Sequence, residues 1–267
     1  MQTKLIASAL FVLLSGSAGG TPLDTCSRPL RVGFYPIPPL YYQIAGDPAW
    51  RGLDKDVVDE LGRRTGCQFE AVFDSRIRIW TAINAGKLDL TVSGIRTPER
   101  ERIAYIFPYM QTRNMLVIRD GAPDAPQSGT EALASPHLTL AATRGYRYGP
   151  PFDAWIEALA QSQRLSDSGD EEAGLRLLAA GRVDTAIVRE AAWDYYFTRG
   201  TVVHGMRLLD AGAPFVPAGL VLSRTQIGPQ LAERFAETLG KMKQDGTLER
   251  LARRHMSAPL AQRAVDF

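Results

Sequence analysis

The segment Val92-Ser93-Gly94-Ile95-Arg96-Thr97-Pro98-Glu99-Arg100 concentrates the chain's chemistry. It begins where an apolar, strand-like run, Leu88–Val92, ends. Thr97 carries the side chain of a helix N-cap, and Pro98 suits the first helical position. In open α/β sheets, ligands bind beyond the carboxyl ends of the strands. A helix start at that place offers free N–H groups and a positive dipole end. Arg100 falls in the first turn, where a cation is unfavourable unless an anion accompanies it. Its planar fork can hold a carboxylate through two hydrogen bonds. Two readings stand: a carboxylate clamp, or a surface arginine paired with Glu99 or Glu101.

Other polar candidates are local and ambiguous. Arg144 and Arg147 flank Tyr146 in Thr143-Arg144-Gly145-Tyr146-Arg147-Tyr148-Gly149, either solvated or facing a cleft. Tyr35, Tyr41 and Tyr42 surround Pro38-Pro39 and either line a cleft or pack. Trp155 and Trp193 have helical spacing and read as core. His137, His204 and His255 are scattered and follow no metal-ligand spacing. No Ser–His–Asp or Cys–His arrangement is supported, and no cofactor or metal is expected.

The elements that must position these residues carry a repeated phrase. Ala85-Gly86-Lys87-Leu88-Asp89-Leu90 returns as Ala180-Gly181-Arg182-Val183-Asp184-Thr185. Each copy reads as a helix stopped by Gly, then a turn, then a buried strand. Around the first copy, Leu30–Phe34, Gln68–Phe73 and Leu88–Val92 are strand-like. Leu53, Val57, Val58 and Leu61 share a helix face ending near Gly62 or Gly66. Ile79, Ala82 and Ile83 mark a helix ending at Gly86. This βαβαβ pattern predicts a parallel sheet with right-handed crossovers.

The second half reads similarly. Tyr109–Ile118 is one extended run, and Gly121–Gly129 a surface loop. His137–Ala142 and Val183–Val188 are strands, with a helix through Phe152, Trp155, Ile156 and Leu159 between them. Ser168-Gly169-Asp170-Glu171 has a capping-box pattern opening the helix that ends at Gly181. Pro214–Leu222 is extended, Leu231, Phe235, Leu239 and Met242 share a helix face, and Leu248 and Leu251 suggest a last short helix. The expectation is two α/β lobes: residues 26–115 with 216–258, and residues 116–215. Two connecting strands make a hinge, and the cleft between lobes is where a small ligand binds.

With 267 residues, 45% of them hydrophobic, the chain can bury a substantial core. A net charge of +2 without long charged runs argues against nucleic acid as a partner. Lys4, the apolar run Leu5–Leu14 and the small residues Ser15–Gly20 form a signal-peptide pattern, with cleavage after Ala18 or Gly20. The run is too short for a bilayer core of roughly 30 Å. Residues 1–20 are therefore expected to be a cleaved signal peptide, and the mature chain to work outside the cytoplasm, in the periplasm if the resemblance given below holds. The chain has two cysteines, Cys26 and Cys67, each just before a strand-like run. If those strands are parallel neighbours, a disulfide fits, and an exported protein meets an oxidising compartment. Cys26 could alternatively carry a lipid, but Pro22-Leu23-Asp24-Thr25 lacks the small pair expected before a lipidated cysteine.

In order and spacing, a set of short stretches resembles the periplasmic solute-binding proteins typified by polar amino-acid receptors of ABC transporters. They are Leu30-Arg31-Val32-Gly33, Pro38-Pro39-Leu40, Gly52-Leu53-Asp54-Lys55-Asp56-Val57, Ile83–Leu90, Thr97-Pro98-Glu99-Arg100, Phe107-Pro108-Tyr109, Gly181-Arg182-Val183-Asp184 and Asp245-Gly246-Thr247-Leu248. The resemblance implies a two-lobed, type II binding-protein fold that traps ligand by hinge closure. It implies that Arg100 binds the ligand's carboxylate, with Ser93, Gly94 and Thr97 nearby. It implies a monomer that hands a small carboxylate or amino-acid ligand to a membrane permease complex.

Four departures bear on the ligand. The acidic residue that receives an ammonium in such receptors is replaced by Arg189, followed by Glu190. An arginine cannot accept from an ammonium, so either Glu190 takes over or the ligand is not an ordinary α-amino acid. Tyr146, after Gly145, stands where a small hydroxyl residue is expected. The link from Asp89 to Arg100 is one residue shorter than in most relatives. The aromatic wall of several relatives falls near Arg76 or Trp80. Arg100 and Arg189, with Arg76, Arg144 and Arg147, would make a cationic cleft for a carboxylate or dicarboxylate. Related roles differ: some relatives are sensor domains or partners of quinoprotein dehydrogenases. Others are cyclohexadienyl dehydratases that use a Glu shortly after the second-lobe strand. Here that place is Ala192, so the resemblance points to a binder rather than an enzyme.

Overall fold

The computed structural model describes residues 22–120, 125–199 and 204–267. The signal-peptide reading for residues 1–20 and part of the expected loop, residues 121–124, lie outside them. Twelve strands are described: β1 (Leu30–Phe34), β2 (Tyr42–Ile44), β3 (Asp47–Arg51), β4 (Phe69–Phe73), β5 (Leu90–Ile95), β6 (Ala104–Thr112), β7 (Asn114–Arg119), β8 (Leu140–Thr143), β9 (Leu165–Ser168), β10 (Thr185–Arg189), β11 (Met206–Leu209) and β12 (Val216–Ser223). The helices are α1 (Leu53–Thr65), α2 (Arg76–Asn84), α3 (Pro98–Ile103), α4 (Gly129–Ala134), α5 (Phe152–Gln161), α6 (Glu171–Ala179), α7 (Glu190–Thr198), α8 (Pro229–Gln244), α9 (Thr247–Ala252) and α10 (Ala258–Val265).

The strands form two five-stranded sheets, ordered β4-β1-β5-β12-β6 and β11-β7-β10-β8-β9. In the first, β1 runs parallel to β4 and β5, while β12 is antiparallel to β5 and β6. In the second, β8 runs parallel to β9 and β10, while β7 is antiparallel to β10 and β11. The sheets are topological equivalents. Each has a parallel trio made by α/β crossovers and an antiparallel strand that carries the chain between lobes. The expected single run Tyr109–Ile118 is two strands, β6 and β7, broken at Arg113, with one in each sheet.

Each lobe forms around its sheet because helices lay apolar faces on it. The predicted α8 stripe of Leu231, Phe235, Leu239 and Met242 is buried, and α8 packs on α1 and β6. In the second lobe, Leu175 and Leu178 of α6 cover one side of the sheet, while Phe152 and Leu159 of α5 cover the other. Cys26 and Cys67 are joined by a disulfide with Cα atoms 5.3 Å apart, as neighbouring parallel strands β1 and β4 permit.

The repeated phrase does the same structural work twice. Gly86 and Gly181 adopt φ +64° and +66°, left-handed values that stop the helices. Asp89 then accepts from the Arg31 backbone N–H at 2.7 Å and from the Arg28 guanidinium. Asp184 accepts from the Thr139 N–H at 2.9 Å and its hydroxyl at 2.7 Å. Each aspartate ties the start of its central strand to the parallel neighbour. The capping-box expectation needs correction. Asp170, not Ser168, caps α6 by accepting from the Ala173 N–H. Ser168 ends β9 instead.

Candidate functional site

The cleft lies between the carboxyl-end loops of the two parallel trios. Two cavities of about 700 and about 740 Å³ open on it, and Tyr146 borders both. A third chamber of about 30 Å³, also bordered by Tyr146, lies against β5, β6 and β12.

Arg100 lines the larger cavity with Trp80, Thr97 and Tyr148. Thr97 accepts the Arg100 backbone N–H, so the N-cap reading fixes where α3 begins. The guanidinium lies over the Trp80 ring, 4.1 Å from its centroid, and Nη1 donates to the Ile95 carbonyl at 3.2 Å. No carboxylate is bonded to it among the described residues. Glu101 lies 3.8 Å from Arg96 instead, and Glu99 is engaged by its own backbone N–H and Thr97. The surface-pair reading of Arg100 is therefore not what the structure holds. Burial lowers the Arg100 pKa to about 9, and the charges of Arg76 and Arg147 push the same way. Such a cation is stabilised by an incoming anion.

Arg76 is buried and bridges the lobes. It donates to the Tyr35 hydroxyl, and its guanidinium lies 4.9 Å from the Tyr35 centroid and 4.6 Å from the Tyr146 centroid. Burial lowers its pKa, and Arg189 adds to the effect. Burial raises the pKa of Tyr146, and Glu171 reinforces that shift, so the ring acts as a neutral wedge. Gly145, at φ +77°, lets this loop approach Ile77; a Cβ there would sit 2.9 Å from Ile77 Cγ1. The residue found in place of a small hydroxyl thus divides the cleft.

Arg189, the expected second ligand cation, is internally neutralised. Glu171 accepts from its backbone N–H and Nε, each at 3.0 Å, and from Nη2, which also donates to the Pro38 carbonyl at 2.7 Å. Burial works against the Arg189 charge, but Glu171 outweighs it and the net pKa shift is upward. Glu190, the alternative acceptor, lines neither large cavity. It accepts from Arg263 at 2.8 Å and lies 3.7 Å from Arg113, in a groove with Met256 rather than in either large cavity. Its place as the first residue of α7 turns it there.

Three more expected site residues serve the scaffold. Ser93, at φ +51°, turns its hydroxyl inward to donate to both Asp54 oxygens, at 2.9 and 2.8 Å. Tyr109 donates to Asp54 at 2.6 Å. Burial raises the Asp54 pKa to about 6 despite these two donors. Gly94 pairs with Gly219, and a Cβ on it would lie 2.2 Å from Val221. Tyr41 is buried, stacked between Phe34 and Trp50 with centroids 4.3 and 4.6 Å away, and lines none of the cavities above. Arg144 borders both large cavities but is exposed and bonded to Asp167 at 3.2 Å.

Sequence reasoning passed over Glu171 as a cap residue and Asp54 as a motif residue. The signal for Glu171 was an unmatched buried arginine, Arg189, whose partner lies 18 positions away in the chain. The acids bordering the two large cavities are engaged by protein groups. Asp74 holds Arg78, Asp167 holds Arg144, Asp170 caps α6, Asp153 accepts the Tyr148 N–H, and Glu99 accepts from its own N–H and Thr97. Arg76 and Arg100 face the cleft without a bonded carboxylate. The arrangement can take a planar anion over Trp80, while the acids bordering the two large cavities, among the described residues, already have protein partners.

Two topologically equivalent α/β lobes around such a cleft define the periplasmic-binding-protein class of fold. The chain belongs to the bacterial extracellular solute-binding proteins, family 3, whose model matches residues 30–258. Solved structures are similar at low identity. An ancestral arginine-binding protein bound to arginine superposes with a TM-score of 0.69 at 20% identity, covering 85% of this chain and 97% of that one. EhuB in complex with hydroxyectoine gives 0.72 at 20% identity, covering 87% and 90%. A histidine kinase sensor domain with similarity to periplasmic binding proteins gives 0.73 at 19% identity, covering 86% and 96%. No curated protein matches the sequence significantly. No helix among the described residues is long and apolar enough to cross a membrane.

Proposed function

We propose that this chain captures a small carboxylate-bearing solute that lacks a free ammonium, such as an organic acid or dicarboxylate, and presents it to an ABC-transporter permease. One observation carries the reading: Arg100 waits over Trp80 without a carboxylate, while the second-lobe position expected to receive an ammonium is Arg189, locked to Glu171. Arg76 supplies further positive charge beside the cleft. Capture proceeds by closure, with the lobes (residues 26–115 with 216–258, and 116–215) turning about the β6–β7 and β11–β12 connections. Solute favours the closed form because only there do Arg100 from one lobe and the Tyr146 loop from the other contact it together.

The arginine-bound relative marks the contrast. A thermal-shift panel tests the reading, since a ligand of the folded state raises Tm with its concentration. Mono- and dicarboxylates should stabilise the protein, and arginine and lysine should not. Stabilisation by cationic amino acids alone would overturn it.

A further inference from the structure

The small chamber at the cleft floor adjoins the Arg100 pocket, with Tyr146 and Arg147 bordering both, and has a different character. Arg76, Arg147 and Arg189 line it, and no aspartate or glutamate does. Arg189 has one acid partner, Glu171, which leaves its Nη1 buried without a hydrogen bond. Arg76 Nε is also buried without one. The polar neighbours offer little relief. The Ser93 hydroxyl is given to Asp54, and the Asn114 amide donates to the Tyr148 carbonyl at 2.7 Å.

Arg76 and Arg189 are buried and Arg147 is exposed; the Arg189 charge works against that of Arg76 even with Glu171 beside it, so a further negative charge here is favoured. The volume, about 30 Å³, selects the occupant. It suits something the size of a water or a monatomic ion. Drug-sized ligands need on the order of 300 Å³ or more. We propose that this chamber is a binding site for one halide ion, chloride above all, held by Arg76, Arg147 and Arg189. Leu40, Arg76 and Ser93 come from the first lobe and Tyr146, Arg147 and Arg189 from the second. An ion there links the lobes and favours their closed arrangement. Arg100 does not line the chamber, so removing it leaves the chamber's own arginines in place.

The test uses the purified, solute-free chain in sodium chloride, bromide or gluconate at equal ionic strength. Chloride and bromide should raise Tm in a saturating way, on the order of 2–6 °C, and gluconate should not. Crystals grown in bromide should show an anomalous peak in the chamber. Arg76→Gln removes a coordinating charge, and Ala218→Val fills the space without touching the arginines; each should abolish the halide response. Arg100→Gln should keep it. Equal shifts in all three salts, bromide peaks only elsewhere, or a response surviving both chamber variants would overturn the proposal.

Discussion

Two arginines stand beyond the central strands of equivalent sheets and meet opposite fates. Arg100 follows β5, is half-buried over Trp80 and has no bonded acid; Arg189 ends β10, is buried, and is gripped by Glu171 through its backbone and side chain. The scaffolds beneath them match, since Asp89 and Asp184 tie their strands in the same way. The lobes therefore share a frame and divide the labour. One keeps a cation available, and the other consumes its cation internally to fix α6 against β10 and, through Pro38, to touch the first lobe. A like-for-like pair of ligand arginines is not what the equivalence of the sheets delivers.

The comparison breaks most sharply at Glu171. Glu171→Ala should cost about 3–5 kcal/mol, because it leaves Arg189 buried and unpaired. Denaturant unfolding measures this. Arg100→Gln should leave stability within about 1 kcal/mol, or raise it, since an unpaired, partly desolvated cation is removed. The same variant should weaken solute binding about 100-fold by titration calorimetry, in keeping with loss of a bidentate charged contact. Equal stability losses in the two variants would erase the division.

Asp54, a buried acid of the first lobe, sharpens the contrast. Asp54 is held by neutral hydroxyls, whereas Glu171 is held by a guanidinium. Its pKa of about 6 in the folded state lies above the ordinary unfolded value of about 3.9. The Asp54 contribution is thus full below the unfolded value and lost as pH rises through about 6, a change of about 3 kcal/mol. Asp54→Asn should flatten that part of the stability–pH curve. An unchanged slope would remove Asp54 as its source.

The smallest effects test the shared frame. Asp89→Ala should cost about 2 kcal/mol and Asp184→Ala about 1 kcal/mol, as each removes an acceptor from a strand-start N–H. The order follows from burial: Asp89 is buried and Asp184 is exposed. A reversed order in chemical denaturation would mean that the two phrases are not doing the same work.

Much of this frame was legible in the residues. The doubled Gly–basic–aliphatic–Asp phrase located both central strands, the α8 stripe was evident by spacing, and Thr97-Pro98 marked the helix that carries Arg100. What escaped had no local period. β9 reads Leu165-Ser166-Asp167-Ser168, too polar and short to signal a strand, yet it pairs with all of β8. The β2–β3 hairpin contains Pro48, a residue that strands accept only at an edge or a bulge, so its sequence carries no strand signal. In the site, arginines could be found but not their partners. The choice of Glu171 for Arg189, and of Arg263 for Glu190, is made by elements packed together from distant parts of the chain. The partner of Ser93 was hidden for a similar reason, because its inward turn answers to Asp54 on another element.

The proposed function turns on selection of an anion over an ammonium. Native mass spectrometry of the protein purified under gentle conditions, beside its Arg100→Gln variant, tests it most directly. A retained small molecule of carboxylate type, without a free amine, is expected on the parent and missing from the variant. A cationic amino acid retained by both proteins would contradict it.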